Sequence, residues 1–345
     1  MNPSDPLAEG PRTAAREAWA RAVTDDAGLH LQRASVDAGF RSYWRGIGSG
    51  GAASSVIVMD SPPDKEDVRP WLQIRELLER GGVRVPRVLA MDVPAGFLLL
   101  EDLGAETYLH VLTSDNAEAL LDAAVAQLLK LQAIPCPTDL PAYDEALLMR
   151  ELRLFDQWFL GRHLGVSLTG DEMRQLDDAY SYLVSAALDQ PQVLVHRDYM
   201  PRNLMPVAGS VDAGPAVLDF QDAVRGPIAY DPLSLFKDAF LSWSPERAHA
   251  WLGRYHARAR AAGLPVPALP RFRHDADLIG IQRHLKVMGI FARLCHRDDK
   301  PKYVADVPRF VAYLDEALPR HPQLAPLQDL IDRHLRPRLH ENAGA

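Results

Sequence analysis

Two short stretches constrain this chain more than any others. The first, VLVHRDYMPRNLM, begins at Val193: three apolar residues run into His196, Arg197 and Asp198, and after Asn203 the chain turns apolar again. The second, AVLDFQD, begins at Ala216 and sets Asp219 directly after an apolar run. A carboxylate in such a place is costly unless it has a use. The apolar runs read as short strands, and PVAGSVDAG between them supplies the residues of a tight hairpin. Such a hairpin brings Asn203 and Asp219 to one end of one small sheet.

The surrounding pattern changes character once. Residues 12–23 form a short amphipathic helix by their spacing. LHLQRASVDAGF, RSYWRGI and SSVIVMD read as three strands, with GSGGA closing the hairpin between the second and third. A helix follows over 68–80 and stops at Gly81-Gly82. Two more strands turn at Pro94-Ala95-Gly96. From Asn116 the periodicity is helical, over 117–132, 144–164 and 171–188, and again after Pro232 to the end, with the proline-rich 261–271 as a connector. The expected fold is α+β and two-lobed: a small antiparallel β lobe with one main helix (1–103) and a larger, mostly helical lobe (104–345).

Phosphoryl transfer needs a carboxylate near the attacking hydroxyl, oxygen ligands for magnesium, and a cradle for the triphosphate. His196-Arg197-Asp198 with Asn203 five residues on matches the spacing of a kinase catalytic loop, and Asp219-Phe220 stands where a metal-binding Asp-Phe pair belongs. Asp198 is the expected base; Asn203 and Asp219 are the expected magnesium ligands. His196 reads as a residue that shapes the loop, and Arg197 as a partner for an acid. Asp231, just before Pro232, reads as a helix N-cap or as a brace for the loop. Asp222 is either in the metal shell or on a surface loop.

Composition removes other classes. The chain has 345 residues, is 47% hydrophobic and 24% charged, and carries a net charge of −8. That charge opposes nucleic acid and anionic membrane as partners. Its two cysteines, Cys136 and Cys295, make neither a disulfide framework nor a zinc site. No signal peptide or membrane span is evident, and the expectation is a cytoplasmic monomer acting on a small molecule.

VHRDYMPRNLM and AVLDFQDAVRGPIAYD resemble the aminoglycoside phosphotransferase/choline kinase superfamily, small-molecule kinases of protein-kinase-like fold, and the likeness runs from about residue 29 to 320. DAGFRSYWR, VIVMDSPPDKEDVRPW, GFLLLEDLG and KPKYVADVPRF are similar to a bacterial branch that phosphorylates the anomeric hydroxyl of amino sugars in peptidoglycan recycling. The resemblance implies ATP and Mg2+ as cofactors and N-acetylmuramic acid or N-acetylglucosamine as acceptor. It also implies Asp198 as catalytic base, Asn203 and Asp219 as metal ligands, residues 37–42 with Arg41 and Ser42 over the phosphates, and Glu101 to Leu103 as the connector at adenine. One departure stands out: Met59 falls where such kinases carry a strand lysine. Arg41, Arg45 and Lys65 are the candidate replacements, and Glu76 loses its expected partner.

For the acceptor, residues 271–302 hold eight Lys/Arg against four acids, a local balance of +4. On a helix over 278–295, Leu278, Ile281, Leu285, Met288 and Ala292 share one face, while Gln282, Lys286, Gly289 and Arg293 form a polar stripe. That stripe is either a solvated face or a wall for an anionic sugar, with Lys286 and Arg293 as substrate-binding residues. Gly289 in mid-helix costs about 1 kcal/mol relative to Ala, so a close approach is expected there. Glu151 and Trp158 are further candidates for the sugar. Two alternatives stay open: an amino alcohol or aminoglycoside kinase on the same fold, and a catalytically silent nucleotide-binding module.

Overall fold

The computed structural model describes residues 10–36, 40–49, 51–207 and 214–338. Along the chain run α1 (Pro11–Thr24), β1 (His30–Val36), β2 (Ser42–Gly48), β3 (Gly51–Asp60), α2 (Arg69–Arg80), β4 (Val88–Asp92), β5 (Phe97–Glu101) and the single turn α3 (Tyr108–Val111). Then come α4 (Ala117–Ala133), α5 (Glu145–Leu154), a π-helical segment (Phe155–His163), α6 (Gly170–Leu188), β6 (Gln192–Val195), β7 (Leu204–Met205), β8 (Ala216–Val217) and β9 (Val224–Pro227). The remainder is α7 (Tyr230–Phe236), α8 (Pro245–Ala261), α9 (Leu269–Asp298), α10 (Val307–Ala317) and α11 (Ala325–His334). The chain forms two compact units. One comprises Met1–Thr113 with Asn203–Gln221, the other Ser114–Arg202 with Asp222–Ala345.

In the first unit five strands make an antiparallel sheet in the order β1-β2-β3-β5-β4. Alternation of side chains divides it into two faces. Val58, Leu99 and Leu31 lie on one face and pack with Ala20 and Leu29 into a core flanked by Trp19 and Trp44. Met59, which pairs with Tyr43 and Leu98, points the other way and is fully buried. The turn at 94–96 requires glycine: Gly96 has φ +73°, and a Cβ there would sit 1.9 Å from the Ser61 carbonyl oxygen. β7 and β8 form the small hairpin anticipated from the sequence, with Leu204 opposite Val217 and Met205 opposite Ala216; its tip, 208–213, lies outside the described residues.

The second unit is helical around one short ribbon, β6 with β9. Its helix starts follow local chemistry. Asp144 accepts from the Leu147 amide at the head of α5, and Thr169 with Glu172 forms a reciprocal capping box at the head of α6. α9 begins at Leu269 rather than near 278, because Pro270 falls in its first turn, where no amide is needed. It is buried on almost every side, Gln282, Lys286 and Gly289 included, so the polar stripe is not a solvated face. The close approach at Gly289 comes from protein: a Cβ there would lie 2.3 Å from the Leu154 backbone carbon and 2.5 Å from its oxygen. Among the described residues no helix is long and apolar enough to cross a membrane.

That contact sets a first test. Gly→Ala in a free helix gains about 1 kcal/mol, yet Gly289→Ala must push α9 off the last turn of α5. We expect a net loss of about 1–3 kcal/mol, measured as a lower urea midpoint at unchanged slope. An unchanged or higher midpoint would mean the two helices are not in tight contact.

Candidate active site

The loop after β6 is held from beneath. Asp231 is fully buried, and its two oxygens accept the His196 amide at 2.7 Å and the Arg197 amide at 3.0 Å. It is therefore the brace and not the N-cap: α7 already starts at Tyr230, with Ala229 in the cap position. Burial raises its carboxyl to about 6, against the pull of His196 and the two amides. His196, buried, accepts the Asp198 amide at 3.2 Å and meets the Tyr199 ring edge-on, while the Tyr199 hydroxyl donates to the Ala124 carbonyl at 2.7 Å. Arg197 takes φ +74°, a conformation costing a non-glycine residue about 1–3 kcal/mol and typical of functional loops. The bracing amides hold it there.

Arg197 then reaches a buried charge cluster. Glu151 on α5 forms an ion pair with Arg197, accepts from the Tyr143 hydroxyl, and lies 3.0 Å from Lys286 Nζ on α9. Lys286 also donates to the Tyr230 hydroxyl at 3.1 Å. Burial alone would raise the Glu151 carboxyl, but Lys286, Arg197 and Tyr143 outweigh it and hold the group below its ordinary range. Burial works likewise against Lys286, and Glu151 and Tyr230 keep its pKa up. One carboxylate thus balances one of the two positive charges and ties the loop to two helices.

Above this cluster lies a cavity of about 290 Å³ within the second unit. Faces of α5 (Leu147, Arg150, Glu151, Leu154) and α9 (Arg283, Lys286, Val287, Ile290, Arg293) form its walls, and Arg197, Asp198, Asp222 and Tyr230 complete it. Five cations therefore meet three carboxylates. Of the sequence candidates, Asp198, Glu151, Lys286 and Arg293 are gathered here, while Trp158, on the π-helical segment, is not among the lining residues. Asp222 is placed here too. Sequence reasoning counts Arg283 only in the charge balance of residues 271–302 and does not single out Tyr143, Arg150 or Tyr230. The α9 stripe that faces the cavity is 283, 286, 290 and 293, shifted from the one read off the sequence.

In the first unit, the hairpin brings the other pair together. The Leu218 amide donates to the Asn203 carbonyl at 2.9 Å, and Asn203 Nδ2 stands 3.5 Å from Asp219 Oδ2. Gln221 Nε2 donates to Asp219 Oδ1 at 2.9 Å. Asp219 has φ +60°, a second strained residue at a predicted site position. An amide oxygen and a carboxylate side by side are hard oxygen donors, the set that magnesium takes.

The expected nucleotide-site residues are placed as follows. Of the loop 37–42, residues 37–39 lie outside the described residues. Arg41 is buried and 3.1 Å from Glu66, and Ser42 Oγ accepts from the Trp44 indole at 2.9 Å. Arg45 is bound to both Asp102 oxygens, at 2.6 and 3.1 Å, and Lys65 is exposed beside Asp64. Glu101 pairs with Arg84 and Arg87, each at 2.5 Å, and donates its own amide to the Arg87 carbonyl. The Leu103 backbone makes no hydrogen bond among the described residues. Glu76 pairs with Arg80 on the surface of α2. Asp60, beside Met59, carries the N-terminal helix instead: Arg12 and Arg16 both bind it, and the Arg16 guanidinium stacks 3.7 Å from the Trp44 ring.

A β-rich unit bearing paired oxygen donors and a helical unit bearing a braced His-Arg-Asp loop define a phosphotransferase of kinase-like fold. Residues 30–265 match the phosphotransferase enzyme family, and the chain belongs to it. It is 52% identical over 299 residues, 86% of each chain, to the N-acetylmuramate/N-acetylglucosamine kinase of Pseudomonas aeruginosa. It is 51% identical over 302 residues, 87% of each, to the protein of the same name from Pseudomonas putida. Among solved structures, an ADP-bound aminoglycoside phosphotransferase superposes with a TM-score of 0.56 at 16% identity, covering 86% of this chain and 97% of that one. The last likeness bears on the fold alone.

Two tests follow from the charge cluster and the brace. Glu151→Gln leaves Arg197 and Lys286 buried without their counter-charge, and a loss of about 3–5 kcal/mol is expected. Adding Lys286→Met should restore part of it in a double-mutant cycle; strictly additive losses would deny the coupling. For Asp231, an acid whose pKa is raised on folding stabilises fully below its unfolded value of 3.8 and loses that contribution as pH rises through about 6. Between pH 4.5 and 7 the native protein should therefore lose about 2 kcal/mol relative to Asp231→Asn. Urea midpoints at the two pH values measure this, and a pH-independent difference would contradict it.

Proposed function

We propose that this chain is an ATP- and magnesium-dependent kinase that transfers the γ-phosphoryl group to the anomeric hydroxyl of N-acetylmuramic acid or N-acetylglucosamine. The reaction belongs to peptidoglycan recycling, in the cytoplasm. The observation that carries the reading is the small polar cavity in which Asp198 stands among five cations and two other carboxylates. It is near the lower end of the roughly 300–1,000 Å³ of ligand pockets, a scale suited to one sugar ring. The names of the relatives that share half of this sequence supply the acceptor class.

In this reading Asp198 accepts the proton of the anomeric hydroxyl, which is more acidic than an ordinary alcohol, so proton transfer can come late. His196 and Asp231 fix the backbone that carries Asp198, and Arg197 anchors it to Glu151. Asn203 and Asp219 would hold the metal, whose charge when bound screens the phosphates. Most of the acceleration then comes from alignment and electrostatics. A kinase of amino alcohols or aminoglycosides is the second reading. The excess of cations in the cavity opposes it, since a cationic acceptor calls for carboxylates or aromatic faces.

Asp198→Asn should lower turnover by about 10²–10⁴-fold while the dissociation constant for ATP stays within about threefold, since Asp198 is assigned no contact to nucleotide. A phosphorus NMR spectrum of the product from N-acetylmuramic acid and ATP should show an anomeric phosphate ester. Near-native turnover in the variant, or a phosphate elsewhere on the sugar, would refute the assignment.

A further inference from the structure

The cations around the cavity fall into two groups. Arg197 and Lys286 are committed to Glu151. Arg150, Arg283 and Arg293 line the same space and form no ion pair or hydrogen bond among the described residues. Arg283 is 1% exposed, and both of its terminal nitrogens lack a hydrogen-bond partner. Arg293 has its Nε buried without a partner, at the end of the α9 face that runs 283, 286, 290, 293. Burial, and then the nearby Arg297, press the Arg293 guanidinium below its ordinary range. Arg293 is half-buried with its Nε enclosed, and Arg283, fully buried, has among the described residues only the charge of Asp238 acting on it without a hydrogen bond. A guanidinium so little satisfied is costly, and the cost falls when an anion arrives. Asp298, the acid whose charge reaches Arg293, is itself paired with Arg297.

We propose that Arg293 receives a carboxylate carried by the acceptor, so that the cavity is built for an acidic amino sugar rather than for a neutral one. Arg283 adds positive potential from within the wall, and Arg150 does so from the facing helix. Lys286, the other cation expected to bind the acid, is instead part of the loop's support. A guanidinium suits the task because its planar fork matches a carboxylate with two parallel hydrogen bonds. The inference rests on the amino-sugar kinase reading. Of the two acceptors named there, only N-acetylmuramic acid carries a carboxylate, on its lactyl arm, so it predicts which is preferred and why.

The test compares kcat/KM for N-acetylmuramic acid and N-acetylglucosamine in the native protein, Arg293→Gln and Arg293→Lys, with equilibrium binding of each sugar measured alongside. In Arg293→Gln the ratio of kcat/KM, acid over neutral, should fall about 10–100-fold, the worth of a hydrogen bond to a charged group. Arg293→Lys should recover part of the fall by keeping the charge without the fork. Arg297→Gln, one turn on and paired with Asp298, should leave the ratio where it was. Native turnover of both sugars with a ratio that Arg293→Gln does not change overturns the carboxylate site and leaves the reaction standing. No turnover of either sugar, with Arg293-dependent binding of the acid, overturns the reaction and supports the site. No selective binding of the acid by the native protein overturns the site in either case.

Discussion

The second unit depends on one carboxylate. Glu151 is buried, and it would be an unfavourable charge if either Arg197 or Lys286 were elsewhere. Together they fix α5, α9 and the His-Arg-Asp loop in one arrangement. Asp231 completes the hold by taking two successive amides of the loop on one side chain. Replacing such a cluster with apolar side chains is often neutral for stability in other proteins. Here its value is positional: the charge-bearing groups face a cavity, and their neighbours set where Asp198 stands.

Much of this was legible in the sequence, for a physical reason. The His-Arg-Asp-x4-Asn spacing and the Asp-Phe after a hairpin are local patterns, and the structure joins Asn203 to Asp219 through the hairpin that the spacing required. Strand alternation and glycine turns marked the sheet of the first unit with its boundaries nearly in place. What was hidden is non-local. Glu151, a candidate for the sugar, does line the cavity, but nothing along the chain reveals that Arg197 and Lys286 meet it. Asp231 was divided between cap and brace, since Asp-Pro before a helix has the same signature in both. On α9 the cavity stripe was misassigned by one residue at two positions. A helix buried almost all round gives no polar face from which to set the phase.

The departure at Met59 looks different in three dimensions. The residue is part of the core, and its neighbour Asp60 faces the other side of the sheet, where α1 supplies two arginines. Of the three candidates to replace a strand lysine, Arg41 is engaged with Glu66 and Arg45 with Asp102, while Lys65 is exposed beside Asp64. A triphosphate drawn to Arg41 or Arg45 would compete with their existing carboxylate partners.

The backbone at Arg197 carries a limit on how this protein can be improved. Its left-handed conformation suits glycine, and a glycine there would relieve the local strain. The same exchange would delete the guanidinium that answers Glu151 and leave that carboxylate facing Lys286 alone. Stabilising by relaxing the chain and preserving the anchor are therefore opposed at this one position. Selection for hardiness must work elsewhere on the molecule.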